Sequence, residues 1–420
     1  MTVLIAGGGI AGLTLGLTLH QIGVPFRVFE AAREIRPMGV GFNLQPNAVR
    51  ELIDLGLESQ LDHIGVKTRR LSFHCDLGRS IWEEPRGQWA GYTWPQYSVH
   101  RGTLQVMLHA ELVGRAGIAC IATGARAVGY EAGHDGAALL LEDGARAEGD
   151  LVVAADGIHS ALRARMYPGE GDPVWNGRIM WRGTARARAW SGGGSMAIIG
   201  NGNQRIVAYP ISDPDPNSGI ATINWIAEKQ FPMHTPWRKE DWNRTADIGD
   251  VLPLFKDWRF GWIDAPALIE GAGTVFEYPM VDRDPLPAWT RGRVSLIGDA
   301  AHPTYPVGSN GASQAIVDAR VIGARMLDHG VTAAALDAYD AEVRPLATAV
   351  GLANRAGEGP DAILQCIEDL CSGEFDDIAR LIPHAKLAAH SEHYKSITGL
   401  SITRVNRQPR TIPEGARVDR

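Results

Sequence analysis

The first thirty residues of the chain alternate between short apolar runs and a glycine-rich turn. Residues 2–6 are almost entirely apolar and predict a short buried strand, which is followed by the turn at residues 7–12. An apolar stretch at residues 11–22 has the length of a helix, ends at Gly23 and leads into a second apolar strand at residues 26–29. The pattern therefore predicts a strand-helix-strand unit of the kind found in α/β folds.

Two further apolar runs end in turns that carry an acid and a glycine. Residues 151–155 predict a buried strand that is followed by Asp156-Gly157, and residues 294–297 predict another that is followed by Gly298-Asp299. A long helix is expected to begin at Gly311. Because ligands bind outside the carboxyl ends of strands in such sheets, the three turns are expected to surround one ligand.

The region at residues 176–285 has a different texture, rich in Trp, Pro and Gly. Runs at residues 205–210 and 220–225 have the residue types of strands and predict an antiparallel sheet with helical excursions. Since this region is inserted between the second and third turns, it is expected to cover the ligand, together with residues 72–97. Ala-rich helical sequence continues from about residue 340 toward residue 398.

The spacing Gly7-x-Gly9-x-x-Gly12 fits a loop that holds the diphosphate of a dinucleotide. The first glycine permits the turn, the second lets the backbone approach the diphosphate, and the third lets helix and strand pack closely. Glu30 lies 18 positions after Gly12, where a carboxylate can accept hydrogen bonds from a ribose. A glycine turn can also have a purely steric origin, but the flanking strand, helix and acid favour nucleotide binding. The motif alone does not distinguish FAD from NAD.

Composition narrows the class of partners. A chain of 420 residues exceeds what one core usually holds, so two or three domains are expected. A net charge of −7 and a pI near 6.0 argue against nucleic acid and membrane surfaces as partners. The four cysteines have no metal-ligand spacing, which predicts no metal site and reduced thiols in a cytoplasm. The sequence contains no apolar run of about eighteen residues, and glycines interrupt its apolar start, so neither a membrane helix nor a secretion signal is expected.

The three glycine and acid motifs together resemble those of the class A, single-component flavoprotein aromatic hydroxylases, a family that contains the p-hydroxybenzoate and salicylate hydroxylases. The resemblance covers most of the chain. Within the family, residues 34–41, 95–102, 278–287 and 310–316 are similar to the phenazine hydroxylase subgroup. Many relatives carry Gly-x-Gly before the last of these segments, whereas this chain has Gly308-Ser309-Asn310-Gly311, a pattern that the phenazine-like subgroup shares.

This resemblance implies an α/β fold with a Rossmann-like FAD-binding domain of the glutathione reductase type. An antiparallel-sheet substrate domain would be inserted into it, and helices would follow at the C-terminus. The expected divisions are residues 1–71, 98–175 and 286–340 for the FAD-binding domain, 72–97 and 176–285 for the substrate-binding domain, 341–400 for the C-terminal helical region and 401–420 for a polar tail.

The same resemblance assigns residues to the cofactor FAD. Those expected at its diphosphate and adenosine ribose are Gly7, Gly9, Gly12 and Glu30. Those expected at its diphosphate and ribityl chain are Arg101, Gln105, Gly298 and Asp299. Asp156 and Gly157 would support both FAD and the reductant NAD(P)H. Those expected at the flavin ring are Gly308, Asn310, Gly311 and Ala312, with Pro306, Asn310 and Gly311 as the catalytic positions beside its reactive face.

The implied activity is a monooxygenase reaction on an aromatic or N-heteroaromatic small molecule, with or without decarboxylation. NADH or NADPH would reduce FAD, and O₂ would then react to give a C4a-hydroperoxyflavin that hydroxylates the ring. The protein would be a monomer or a homodimer. Two alternatives remain open, namely an FAD-dependent reductase or halogenase and an FAD-containing protein that sequesters aromatic ligands. The Trp-x-Trp-x-Ile segment typical of halogenases is absent from the sequence.

Several aromatic and charged residues are candidates for the substrate site, but each also has an ordinary structural explanation. The candidates are Trp181, Arg182, Tyr209, Trp225 and Tyr305. Core packing accounts for such aromatics at least as often as ligand stacking, and a structural arginine is the more common case. For His302 a scaffold role is favoured over a catalytic base, and Asp282, Arg283 and Asp284 are interpreted as an interdomain ion-pair cluster.

Overall fold

The computed structural model describes residues 1–237 and 244–418. Its strands are, in chain order, β1 (Val3–Ala6), β2 (Phe26–Glu30), β3 (Gly41–Leu44), β4 (Gly65–Lys67), β5 (Arg70–His74), β6 (Ser80–Pro85), β7 (Tyr97–His100), β8 (Ile121–Thr123), β9 (Ala127–Ala132), β10 (Ala137–Leu141), β11 (Arg146–Gly149), β12 (Leu151–Ala154), β13 (Val174–Arg188), β14 (Ser195–Gly200), β15 (Gln204–Pro210), β16 (Ile220–Gln230), β17 (Arg259–Phe260), β18 (Ile263–Asp264), β19 (Phe276–Asp282), β20 (Thr290–Arg291) and β21 (Val294–Leu296). Its α-helices are α1 (Ile10–Gln21), α2 (Pro46–Asp54), α3 (Glu58–Ile64), α4 (Arg101–Ala116), α5 (Ala161–Met166), α6 (Ile248–Phe255), α7 (Ala265–Glu270), α8 (Gly311–His329), α9 (Ala333–Arg355), α10 (Ala362–Cys371), α11 (His384–Ile397) and α12 (Ile402–Arg407).

A six-stranded sheet with the order β20-β21-β12-β1-β2-β8 carries the three predicted motifs. Its strands are parallel except for the short edge strand β20. Every residue of β1 and of β12 is buried, as expected for a parallel sheet that is covered on both faces. Because β1, β12 and β21 are neighbours, the turns that follow them meet at one edge. The predicted α/β unit at the N-terminus is confirmed.

A seven-stranded sheet with the order β19-β13-β16-β15-β14-β5-β6 forms the second layer of the molecule. Most neighbours are antiparallel as predicted, but β5 and β14 are parallel. Helices α6 and α7 pack on the back face through a core that includes Phe255 and Leu268. The front face turns toward the six-stranded sheet's motif loops.

Smaller sheets and the C-terminal helices complete the fold. Strands β3, β7 and β4 form one three-stranded sheet, and β11, β10 and β9 form another. Helix α8 packs closely on α1, since a Cβ added to Gly323 would lie 2.3 Å from Thr18 Cγ2. Across the described residues, every helix is too short or too polar to span a membrane.

Residues 401–418, the described part of the predicted polar tail, pack against the rest of the protein. They form α12 and then follow the surface of the first layer, where Val405 and Ile412 are buried. Arg50 Nη2 donates to Thr411 Oγ1 at 2.9 Å, and the Val418 amide donates to the Ile22 carbonyl. Residues 419 and 420, the end of the predicted tail, lie outside the described residues.

Candidate active site

The first glycine turn is closed so tightly that side chains would not fit at two of its positions. Gly7 has φ of +106°, and a Cβ there would lie 2.4 Å from the Ala155 carbonyl oxygen. A Cβ on Gly12 would lie 2.0 Å from the carbonyl oxygen of Gly7. At Gly9, by contrast, no described atom lies within 4 Å of the Cβ position. The turn is thus packed on its inner side and open at Gly9, just before α1 begins.

Glu30 and Gln105 both form hydrogen bonds with the backbone of Gly8 in this turn. Glu30 Oε2 accepts a hydrogen bond from the Gly8 amide at 2.6 Å, and its Oε1 accepts one from the Ala32 amide at 2.7 Å. Gln105 Nε2, from α4, donates to the Gly8 carbonyl at 2.8 Å. The structure therefore brings both predicted residues to the turn, where their contacts fix its position relative to β2 and α4.

Asp156 contains a buried oxygen that lacks a partner. Its Oδ2 accepts from the amides of Ala161 and Leu162, at 2.9 and 3.4 Å, at the start of α5. Among the described residues none donates to Oδ1, although that atom is buried. Burial raises the pKa of Asp156, and hydrogen bonds from the Ser160 side chain and from backbone amides oppose the shift. Since buried acceptors in proteins normally have a donor, the free Oδ1 favours a ligand at this turn.

Asp299 lies beside the beginning of α8. The Asp299 side chain is exposed to solvent, yet the surrounding protein desolvates the carboxyl enough to raise its pKa. Electrostatic interactions with His302 and Arg101 lower that pKa in part. A Cβ added to Gly311 would lie 4.0 Å from Asp299 Oδ1. The structure thus brings two other predicted residues, Arg101 and Gly311, close to Asp299.

The loop that precedes α8 is held by a residue that the sequence did not reveal. Tyr394, from α11, accepts a hydrogen bond from Asn310 Nδ2 at 2.7 Å and donates to Asn354 Oδ1 at 2.8 Å. Gly308 has φ of +68°, and a Cβ there would lie 2.4 Å from the Tyr394 hydroxyl. A side chain at position 308 would therefore displace the tyrosine, so Gly308 and Tyr394 fit together.

Gln45 supports the same loop from the opposite side. Its Nε2 donates to the Gly308 carbonyl at 3.0 Å, and its backbone amide donates to Ser313 Oγ at 3.0 Å. Helix α8 begins directly after the loop, at Gly311 and Ala312. Amide groups in the first turn of a helix lack carbonyl partners within it and carry partial positive charge. The loop therefore presents an anion-stabilising helix end.

His302 has the scaffold role that the sequence favoured. Its Nε2 lies 2.6 Å from Asp318 Oδ2, and its ring lies 4.9 Å from the ring of Trp289. Burial lowers the pKa of His302, but the ion pair with Asp318 outweighs it, so the net shift is upward. Asp318 also accepts from the Gly298 amide at 2.8 Å. The pair thereby fixes the turn that carries Asp299.

The residues at 282–284 form an ion-pair cluster between elements, as predicted. Arg355, from α9, contacts Asp282 at 2.6 Å and Asp284 at 2.6 Å. Arg283 lies 3.4 Å from Glu170, which also pairs with the buried Arg163. Arg163 donates in turn to the carbonyls of the turn after Asp299, Ala300 and Ala301. The cluster thus links β19 to the motif-bearing sheet.

A pocket lies between the front face of the seven-stranded sheet and the loop before α8. The loop contributes Pro306, Val307, Gly308 and Ser309. The sheet side contributes a strip of apolar side chains, namely Leu71, Met196, Ile198, Val207 and Ile226. Polar and charged groups at its margins are Gln45, Gln96, Tyr209, Arg86, Arg205, Glu228 and Asp361.

The predicted substrate residues fall on different sides of this pocket. Tyr209 lines it, and burial raises the pKa of its hydroxyl to about 12. Trp181 and Trp225 are buried in the core on the opposite face of the sheet, where Trp181 Nε1 donates to Glu277 at 3.1 Å. The structure therefore gives both tryptophans the packing role, because alternate residues of a strand point to opposite faces.

Arg182 and Tyr305 border the site without lining the pocket. Arg182 Nη2 donates to the Gly41 carbonyl at 2.7 Å, which ties β13 to β3. Tyr305 is buried against Met180 and Tyr278, directly before the loop. Arg182 therefore has the structural role that the sequence analysis gave as the more common one. Tyr305 anchors one end of the loop before α8.

These features together fit a flavin dinucleotide. The open side of Gly9 leaves room for a diphosphate at the start of α1, and the unpartnered Oδ1 of Asp156 offers an acceptor. Asp299 offers a second acceptor beside the start of α8. The chemistry of this set, glycine backbone at a helix start followed by two acids, matches a ligand with a diphosphate and several hydroxyls.

Comparison with known proteins identifies the family. The pattern of a family described as an FAD binding domain matches residues 1–248 and 277–352. The phenazine 1,6-dicarboxylic acid hydroxylase of Lysobacter antibioticus is 41% identical over 84% of this chain and 89% of its own length. A salicylate hydroxylase of Pseudomonas putida is 31% identical over 82% of each chain.

Solved structures show the same fold. A salicylate hydroxylase in a substrate complex superposes with a TM-score of 0.73 at 22% identity and covers 99% of each chain. The R204Q variant of HpxO from Klebsiella pneumoniae, complexed with FAD, has a TM-score of 0.72 at 24% identity over 96% of each chain. The predicted resemblance and fold class are confirmed: this chain belongs to the family of FAD-binding flavoprotein hydroxylases, and it is a flavin-dependent aromatic monooxygenase.

Proposed function

We propose that this enzyme hydroxylates a carboxylated N-heteroaromatic small molecule of the phenazine type, with NAD(P)H and O₂ as co-substrates. The single observation that carries the proposal is the pocket in which an apolar sheet face and the loop before α8 enclose the same space. Its apolar lining suits the rings of an aromatic molecule. The relative that acts on phenazine 1,6-dicarboxylic acid supports the choice of ring system.

The residues proposed to hold FAD lie mainly in the three motif turns and in the loop before α8. We assign Gly7, Gly9 and Gly12 to its diphosphate, and Glu30 to its adenosine ribose. Glu30 can accept further bonds because each carboxylate oxygen has two lone pairs, and the amides of Gly8 and Ala32 occupy one on each. The residues assigned to the rest of the molecule are Arg101, Gln105, Asp156, Gly157, Gly298, Asp299, Gly308, Asn310, Gly311 and Ala312.

When bound, FAD supplies the redox chemistry and oxygen activation that protein side chains cannot perform. The chain itself must favour negative charge at the pyrimidine edge of the ring, and the first turn of α8, at Gly311 and Ala312, is suited to that task. Pro306 borders the pocket, so the substrate would lie against the loop that meets the flavin. The apolar strip on the sheet excludes water around the reacting atoms.

The proposal is tested with the purified, FAD-loaded enzyme and a panel of phenazine acids and simple phenolic acids. We expect a phenazine acid to accelerate NADH or NADPH oxidation and to yield a product that carries one oxygen atom from labelled O₂, as measured by mass spectrometry. Stimulated oxidation without an oxygenated product from any member of the panel would overturn the proposal, as would binding without stimulation.

A further inference from the structure

The two arginines that line the pocket differ in how completely they are paired. Arg205, on β15, lies 2.6 Å from Glu228 and also contacts Asp361. Glu228 has Arg178 as a second neighbour, at 3.8 Å. At this end of the pocket, therefore, each acidic side chain that lines the wall is matched by a nearby guanidinium.

Arg86, at the other end of the pocket, has a hydrogen-bond donor without an acceptor. Its Nη2 lies 2.6 Å from Glu84 Oε1, and the other Glu84 oxygen already accepts from Ser391 and Lys395. Lys395 also pairs with Glu392 at the surface. Arg86 Nε is buried, and within the described part of the chain no acceptor faces it. A guanidinium has five N–H donors, and the pairing of Nη2 with Glu84 leaves Nε without an acceptor.

The two ends are separated by the apolar strip. Arg86 directly follows β6, the edge strand of the sheet, whereas Glu228 lies on β16, with β15, β14 and β5 between them. Met196 and Leu71 occupy the intervening strands. The acidic groups of the pocket wall, Glu228 and Asp361, are therefore held away from Arg86 by Arg205.

We infer that Arg86 binds the carboxylate of the aromatic substrate and so determines which acids the enzyme accepts. The inference rests on the proposed function. A substrate carboxylate supplies acceptor oxygens to a guanidinium whose Nε has none, and the aromatic ring then covers the apolar strip toward Pro306. Arg86 acts in binding and orientation rather than in bond making.

The test compares an acid with its neutral amide on matched variants. Phenazine-1-carboxylic acid and phenazine-1-carboxamide are titrated into the FAD-loaded enzyme, and dissociation constants are measured from the change in flavin absorption. In Arg86→Gln we expect acid binding to weaken about tenfold or more and amide binding to change by less than about threefold, because a charge-assisted bond is lost for the acid only. Arg86→Lys, which keeps the charge, should fall between wild type and Arg86→Gln.

Arg70→Gln serves as the matched control, because Arg70 forms a similar ion pair between β5 and β6 with Glu83, but at the exposed surface. It should leave both constants unchanged. An acid-to-amide preference that is the same in Arg86→Gln as in wild type would overturn the inference, even if hydroxylation continues. Failure of wild type to bind either compound would instead overturn both this inference and the proposed substrate class. Should Arg86→Gln not fold, an Arg86→Lys enzyme with the wild-type preference and affinity would count against the inference.

Discussion

At the scale of single residues, the assignment of Asp299 can be tested most directly. Arg101 and His302 favour its ionised form against the effect of burial. We predict that Asp299→Ala weakens FAD binding about ten- to a hundredfold, because the ribityl hydroxyls would lose an acceptor, which costs roughly 1–3 kcal/mol. Titration of the apoprotein with FAD, followed by flavin fluorescence, gives the dissociation constant. Asp135→Ala, at an exposed turn, is the control, and an equally small effect of both changes would contradict the assignment.

The pair of His302 and Asp318 gives a prediction about pH. The pKa of His302 is raised in the folded state, so the pair's contribution to stability is fully present below the unfolded value of 6.5 and is lost as pH rises through the folded pKa. We predict that His302→Gln lowers the free energy of unfolding by about 1–3 kcal/mol at pH 5.5 and by less at pH 9. Urea denaturation at both pH values measures the difference. A loss that does not depend on pH would argue against a charged pair, and the exposed His134→Gln controls for general effects.

At the scale of elements, α11 holds the loop before α8 through the hydroxyl of Tyr394. Removal of that hydroxyl leaves the Asn310 amide and the Asn354 carbonyl oxygen without their shared partner. We predict that Tyr394→Phe retains FAD but releases more hydrogen peroxide per NAD(P)H consumed, because the loop beside the flavin ring loses its fixed position. The ratio of product to NAD(P)H is the measurement. Tyr92→Phe removes another buried hydroxyl, bonded to Leu400 near α12, and should keep the ratio of wild type.

Which elements could be predicted depends on how local their determinants are. The unit of β1, α1 and β2 follows from glycine spacing and apolar runs within thirty residues, and Gly308 was predicted from its motif. Tyr394 contacts Asn310 across 84 positions of sequence, and α11 carries no motif that would signal the contact. Its partner Asn310 was predicted to meet the flavin, but the side chain that orients it depends on tertiary packing.

At the scale of the whole molecule, the sequence indicated that an inserted sheet covers the cofactor but not which face of it does so. Both faces of the seven-stranded sheet are covered by protein. The residues of β13 and β16 that point to either face are therefore covered, and the sequence pattern does not tell which face meets the ligand. Trp181 and Trp225 therefore looked like substrate contacts although they pack against α6 and α7. Nothing in the sequence marked Arg86 as a residue of the substrate site, because an arginine after an edge strand is ordinarily exposed to solvent.

The two faces of this sheet predict opposite outcomes for two substitutions. Met196→Trp, on the pocket face, should raise KM for the aromatic substrate at least about tenfold, because a larger side chain occupies space that the ring needs, while FAD content stays that of wild type. Trp225→Phe, on the back face, should lower the free energy of unfolding by about 1–3 kcal/mol through loss of packing and leave KM unchanged. Steady-state kinetics and urea denaturation on both variants measure the two effects. If Trp225→Phe changes KM while Met196→Trp does not, the substrate binds against the back face, and the pocket described between the sheet and the loop before α8 is not the place of reaction.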